Sequence, residues 1–236
     1  MRPKDWKDEK PRINKLALEL SELWDNKPFG NNNGLGAQGS LTLYYYMKRL
    51  LPSLVFEIGC WRGFSTWVIE QAVQHKNIIT SDPVFALQQF FDKSIYEPTY
   101  RPKGVQYTSQ DFSVLNVNIQ PQDRDKTFLF FDDHQDKIAR LIQAKQKGFK
   151  HILFDDNLPF PYTHKTFQKG LADDHSIRTF LKEVKTYEIF PPLYDAKYFR
   201  NHNLKLEGLN IPKNRDYNFL YQERDGYTWI TYVELH

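Results

Sequence analysis

An α/β fold built on a mostly parallel sheet is predicted by three observations. Short apolar runs recur at 54–58, 77–81, 105–108, 128–131 and 151–154. Segments with helical periodicity separate them. Nearly every run ends at a carboxylate: Glu57, Asp82, Asp111, Asp132 and Asp156. Continuous apolar strands joined by helices belong to a parallel sheet covered on both faces. In such sheets ligands collect beyond the carboxyl ends of the strands.

The elements follow in chain order. Residues 11–24 carry Ile13, Leu16, Leu20 and Leu23-Trp24 at amphipathic-helix spacing. The glycines and asparagines of 29–36 break it. Ser40 is placed to cap a second helix that runs to Leu51 and stops at Pro52. After the first strand, 65–75 reads as a helix capped by Ser65 or Thr66 that buries Val68, Ile69, Ala72 and Val73. A short strand over 77–81, a helix over 84–91 and a weak strand over 105–108 come next. The fourth strand ends at Asp132-Asp133-His134. A helix over 138–147 stops at Gly148, and the fifth strand ends at Asp155-Asp156-Asn157. Residues 157–175 read as loop, 176–187 as helix, and 217–222 with 228–235 as an antiparallel pair across Asp225-Gly226. No repeat or long linker divides the chain. One domain over 1–236 is expected, with a helical cap over 1–52 and a lid over 157–216.

Composition narrows the class. A net charge of +3 is too small for the basic stripe of a nucleic-acid binder. No run reaches the ~18 apolar residues of a membrane span. The charged, Pro-containing first residues lack a signal-peptide core. The single cysteine, Cys60, allows no internal disulfide and fits a reducing, cytoplasmic setting. It reads as a small buried residue, with no histidine near it in sequence. Arg140 and the run 145–150 read as a solvated helix face.

The most informative segment is Leu54-Val55-Phe56-Glu57-Ile58-Gly59-Cys60-Trp61-Arg62-Gly63-Phe64-Ser65-Thr66. It is a strand, a glycine turn and a helix start. Gly59 and Gly63 stand four apart, not in the G-x-G-x-x-G order of dinucleotide binders. Bare glycines let a backbone approach a ligand closely. Asp82, one unit later, is placed to hydrogen-bond a ribose diol. Asp111-Phe112 could bracket an adenine, and Asp111 serves equally well as a helix cap.

The form E-x-G-x-x-x-G resembles the first motif of class I methyltransferases, which use S-adenosylmethionine (SAM). The resemblance covers roughly 53–157 and 215–236. It implies a Rossmann-like, seven-stranded, mostly parallel sheet with helices on both faces and a C-terminal antiparallel pair. It assigns the cofactor to Glu57, Gly59, Gly63 and Ser65 in the loop and helix start, then Asp82 for the ribose, then Asp111 and Phe112 for the adenine. The Pro-Pro signature of base-modifying amino-methyltransferases is absent after the fourth strand.

The segments Asp132-Asp133-His134 and Asp155-Asp156-Asn157 resemble the metal-ligand segments of metal-dependent O-methyltransferases, of the catechol and caffeoyl-CoA type and of macrolide-sugar and cephalosporin type. The implied ligands are Asp132, Asp155, Asp156 and Asn157, for Mg²⁺ or Mn²⁺, which take hard oxygen donors. Asp132 and His134 are the implied catalytic residues, with His134 as base. His134 stands two positions after Asp132, where the relatives' basic residue stands three after. Paired aspartates at strand ends also cap helices, and that alternative stays open.

The expected activity is O-methylation of a small hydroxylated acceptor, a sugar or glycan. Two alternatives stand beside it: a nucleic-acid or protein methyltransferase, and a non-catalytic module that binds SAM or a partner.

Overall fold

The run after Pro52 forms β1 (Leu54–Ile58). Its residues after Leu54 are all buried, because a strand covered on both faces has no solvent side to give to polar residues. In chain order β2 (Ile78–Ser81), β3 (Gln106–Thr108), β4 (Thr127–Phe131) and β5 (His151–Phe154) run parallel to it. With β6 (Val184–Ile189) and β7 (Thr231–Leu235) they form one seven-stranded sheet in the order β3-β2-β1-β4-β5-β7-β6. β7 is antiparallel to both of its neighbours. The expected architecture, a mostly parallel sheet with an antiparallel C-terminal strand pair, is present. The computed structural model describes residues 6–27, 34–73, 77–87, 100–157, 180, 182–192 and 228–236.

The helices are α1 (Lys10–Asp25), α2 (Ala37–Leu50), α3 (Phe64–Val73), the short α4 (Val84–Leu87) and α5 (Lys137–Gln146). One face of the sheet carries α1, α2 and α3 in a layer with Val55, Phe128, Phe130, Leu153 and Tyr232. The other carries α5 with Phe56, Phe112, Leu129, Phe131, Phe149 and Phe154. Successive strand residues point to opposite faces, so Phe128 and Phe130 serve one layer while Leu129 and Phe131 serve the other. The residues read as a helical cap therefore pack into the main core. α2 is buried at every position from Ala37 to Met47.

Three local expectations need correction. α2 begins at Ala37 behind Gly36, with no side-chain cap. Ser40 lies inside the helix, and its hydroxyl donates to the Leu35 carbonyl at 3.2 Å. α5 begins at Lys137, and its cap is Asp136, which accepts from the N–H groups of Ile138 and Ala139. The largest change is at 184–189, read as the end of a helix and found as β6. Val184, Thr186, Tyr187 and Ile189 are β-formers. A register shift between Val184 and Thr186 breaks the alternation that would have shown them as a strand. Both edges of β7 are occupied, by β5 and β6. The strand expected over 217–222, the residues 88–91 and 74–75, and most of the expected lid, with Tyr162, His164, His175 and Tyr194, lie outside the described residues.

β6 is tied to α2 by an ion pair. Arg49 Nη1 donates to Glu188 Oε2 at 2.6 Å and the Tyr46 hydroxyl to the same oxygen at 3.0 Å. Glu188 is buried. Such a pair contributes mainly by leaving neither charge unpaired.

Candidate active site

The carboxyl ends of β1, β2, β3 and β4 meet around a cavity of about 300 Å³. Its walls are Ile58 to Trp61, Phe64 and Ser65 from the glycine loop and α3, then Ser81 to Pro83, Gln110 to Phe112, Asp132 to Gln135, and Arg140. Gly34 and Leu35 close one side. Polar groups converge in a concave site at the sheet's carboxyl edge, the arrangement that holds small ligands in open α/β folds.

Gly59 has φ +86°, a backbone state that favours glycine. A Cβ there would lie 2.3 Å from the Asp132 carbonyl oxygen. The bare Cα is thus the joint between the loop and the end of β4. Asp82 anchors the loop from the other side. Its Oδ2 accepts from the N–H groups of Cys60 and Trp61, both at 2.8 Å, and its Oδ1 from Val84 N–H at 2.8 Å. A carboxylate offers about four lone pairs, so one remains, on Oδ1, for a ligand hydroxyl. Ser65 is buried in the first turn of α3 and borders the cavity. Cys60 is buried too, and burial pushes its thiol well up, against any nucleophilic role.

Several expected cofactor residues are held by the protein's own contacts: Glu57 and Gly63 are not part of the cavity wall, and Phe112 belongs to it with a ring already packed. Glu57 is fully buried behind the loop. Its Oε2 accepts from the hydroxyls of Thr66 at 2.6 Å and Thr80 at 2.9 Å. Burial pushes its carboxyl up to about 7. Glu57 thus braces α3 against β2. Gly63, with φ +84°, presents its bare Cα to Tyr100, whose carbonyl oxygen would be 2.2 Å from a Cβ. Its need for glycine comes from that contact. Phe112 is also fully buried, edge-on to Phe131 at 4.9 Å between centroids. Its ring has no free face on which adenine could stack.

Asp111 does stand at the cavity, and it is already engaged. Arg140 donates from Nη1 to Oδ1 at 3.0 Å and from Nη2 to Oδ2 at 2.5 Å, while Ser113 donates to Oδ1 from its N–H and its hydroxyl. The Arg140 guanidinium holds the Asp111 carboxyl well below the usual carboxylate range. Arg140 also donates from Nε to Asp133 at 2.7 Å and lies over the rings of Phe112 and Phe131. It is buried, which corrects the solvated-face reading. The missed signal was periodic. Lys137, Arg140, Leu141 and Ala144 are the buried residues of α5, at helical spacing, so two cations occupy its inward stripe.

At the far end of the cavity the ends of β4 and β5 bring together Asp132, His134 and Asp156. One donor atom from each lies within 4.8 Å of the others. His134 Nε2 meets Asp156 Oδ2 at 2.9 Å. Both residues have positive φ, +56° and +50°. The Asp156 carboxylate raises the His134 imidazole above its ordinary value. Burial, with Asp155 and Asp156 nearby, pushes Asp132 well up. The other expected ligands are turned away. Asp155 accepts from the Thr228 hydroxyl at 2.5 Å and from Asp156 N–H, and burial pushes its carboxyl up to about 6. Asn157 is buried and donates to Thr231 Oγ1 at 2.6 Å, which ties the end of β5 to β7. The donor set that fits a metal is therefore Asp132, Asp156 and His134, with His134 in the place expected for Asp155 and Asn157.

No family model matches the sequence, and a search of curated proteins finds no match. Among solved structures the chain is similar to the O-methyltransferase from Bacillus cereus in complex with SAH, at 14% identity, over 100% of this chain and 93% of that one, with a TM-score of 0.44. It is also similar to the O-methyltransferase TomG from Streptomyces achromogenes, involved in tomaymycin synthesis and in complex with SAM, at 13% identity, over 94% and 89%, with a TM-score of 0.45. A putative O-methyltransferase from Klebsiella pneumoniae matches at 13% identity, over 95% and 90%, with a TM-score of 0.44.

Proposed function

We propose that this chain transfers a methyl group from SAM to a hydroxyl of a small acceptor, of the sugar or glycan class. The observation that carries the reading is one continuous cavity. Its one end is the Asp82-anchored glycine loop, and its other end holds Asp132 and His134. SAM, when bound, supplies an electrophilic methyl group on a sulfonium. The free lone pair of Asp82, held in place by the loop amides of Cys60 and Trp61, would orient the cofactor, and Asp111 would border its adenine. Such a protein works chiefly by alignment, since holding two reactants in line removes most of the entropic barrier. In the transfer the acceptor oxygen would bond to the methyl carbon as the carbon–sulfur bond broke, sulfur would keep the electron pair, and the proton would pass to His134. The carbohydrate class rests on the resemblance to sugar O-methyltransferases and on the aromatic residues of 157–216. No helix among the described residues is long and apolar enough to cross a membrane. A cytoplasmic site of action fits the buried thiol of Cys60.

Calorimetry with SAH, followed by a screen of free and nucleotide-linked sugars for methyl transfer from SAM, tests the proposal. Binding of SAH and methylation of a sugar hydroxyl are expected. No SAH binding by the folded protein would leave a partner-binding module.

His134 would act as base, a role supported by Asp156, which meets its ring at 2.9 Å and raises its proton affinity. A base works only when neutral, and this imidazole titrates above its ordinary value. Turnover at saturating SAM should therefore rise with pH through a limb above ~6.5. His134→Gln should remove that limb and lower turnover about a hundredfold. An unchanged rate and profile would make His134 a surface residue.

A second reading is favoured by the three donor atoms. Asp132, His134 and Asp156 would hold Mg²⁺ or Mn²⁺, which would acidify the acceptor hydroxyl. The two readings exclude each other at His134, since a neutral imidazole has one unprotonated ring nitrogen, which can either take the proton or coordinate the ion. Turnover in EDTA separates them: it persists if His134 is the base and is lost if a metal is needed.

A further inference from the structure

Lys137 is the least expected residue near the cavity. It is the first residue of α5, its side chain is fully buried, and its ammonium has no hydrogen-bond partner among the described residues. Each condition works against a charge. Burial removes its hydration, the missing partners leave three donors unsatisfied, and a cation at a helix N-terminus faces the positive end of the dipole. What offsets these is the acid group beyond the ends of β4 and β5. Asp132, Asp155 and Asp156 crowd together there, and the ammonium's charge acts on Asp132, Asp155 and His134.

We propose that Lys137 is the resident cation of this site, balancing the carboxylates at the ends of β4 and β5 when no divalent ion is present and weakening the binding of one. The consequence for the reaction is that methyl transfer here does not depend on a tightly held metal, and His134 stays free to take the acceptor's proton. The inference deepens the reading of this end of the cavity as the acceptor site. Its test uses neither cofactor nor acceptor, so the two can fail separately.

The sign of the effect follows from charge. Removing the ammonium makes both protons and metal ions bind the carboxylates more tightly. A divalent ion carries twice the charge of a proton, so it gains about twice the free energy. Lys137→Met keeps the length and the apolar stem and deletes only the charge. The full chain, stripped with EDTA and exchanged at about pH 8, is titrated with Mn²⁺ and followed by the electron paramagnetic resonance of the free ion. The wild type should bind Mn²⁺ weakly. Lys137→Met should bind it about ten- to a hundredfold more tightly, and adding Asp132→Asn should abolish the gain, which locates the ion. Lys137→Gln serves in its place if the methionine variant does not fold. Equal or weaker Mn²⁺ affinity in the folded variant, tight binding by the wild type, or a gain that survives Asp132→Asn would each overturn the proposal. Calorimetry with SAH on the same samples reports on the cofactor reading alone.

Discussion

Gly59→Ala should abolish measurable SAH binding and lower thermal stability. The added Cβ would lie 2.3 Å from the Asp132 oxygen, 2.6 Å from its carbonyl carbon and 2.9 Å from Asp133 N. All three are backbone atoms at the end of β4, so no side chain can rotate away. The φ of +86° adds roughly 1–2 kcal/mol for any L side chain. The loop or the strand end must move, and both are walls of the cavity. We expect a loss of cofactor affinity greater than about a hundredfold and a fall in Tm of at least ~4 °C, since each kcal/mol shifts a chain of this size by ~2–4 °C. Calorimetry and thermal unfolding of the same sample decide it. Wild-type SAH affinity in Gly59→Ala would mean that the loop shapes no part of the cofactor site.

The second large effect is expected at Asp82. A ribose contact alone is worth ~1.5–3 kcal/mol as a charge-assisted hydrogen bond. In the structure Asp82 also holds the amides of Cys60 and Trp61 in place, so Asp82→Ala removes the contact and releases the loop. SAH affinity should drop by about a hundred- to a thousandfold, or ~2.7–4.1 kcal/mol. Asp82→Asn keeps one acceptor oxygen and should fall between the alanine variant and the wild type. A folded Asp82→Ala protein that binds SAH as the wild type does would sink the assignment of this cavity to the cofactor.

Both predictions depend on residues that are legible without coordinates. The glycine loop, Asp82 and the strands that carry Asp111 and Asp132 show themselves through local signals: apolar continuity, a bend that needs bare Cα atoms, and a polar residue where each strand stops. The loop's internal roles are not legible in this way. Glu57 and Gly63 belong to the same motif as Gly59, yet they face Thr66, Thr80 and Tyr100 rather than the cavity. A motif reports that a turn is tight; it does not report which atoms the turn is tight against.

The end of the cavity at β4 and β5 shows the same division. Two aspartate-rich strand ends were visible as a place where charge collects. Which of their residues meet was decided by backbone turns of positive φ at His134 and Asp156, a conformation in which Asp and His are enriched but which their identity does not dictate. Asp155 and Asn157 are drawn off by Thr228 and Thr231, more than seventy positions later in the chain. β6 was hidden because its alternation is interrupted at the register shift and because β7, the strand that pairs with it, comes more than forty residues later.

By itself, then, the sequence determined the order and type of β1 to β5, the helices between them and the edge of the sheet where the cavity lies, because strand, turn and helix preferences act between near neighbours. Only the tertiary structure decided the fates of the charged side chains. Arg140 reads as part of a solvated helix face until α5 is laid against the sheet. It is then forked between Asp111 and Asp133, and Lys137, on the same inward stripe, is buried. The energy of a buried charge is set by the partners that surround it, and those partners are far apart in the chain.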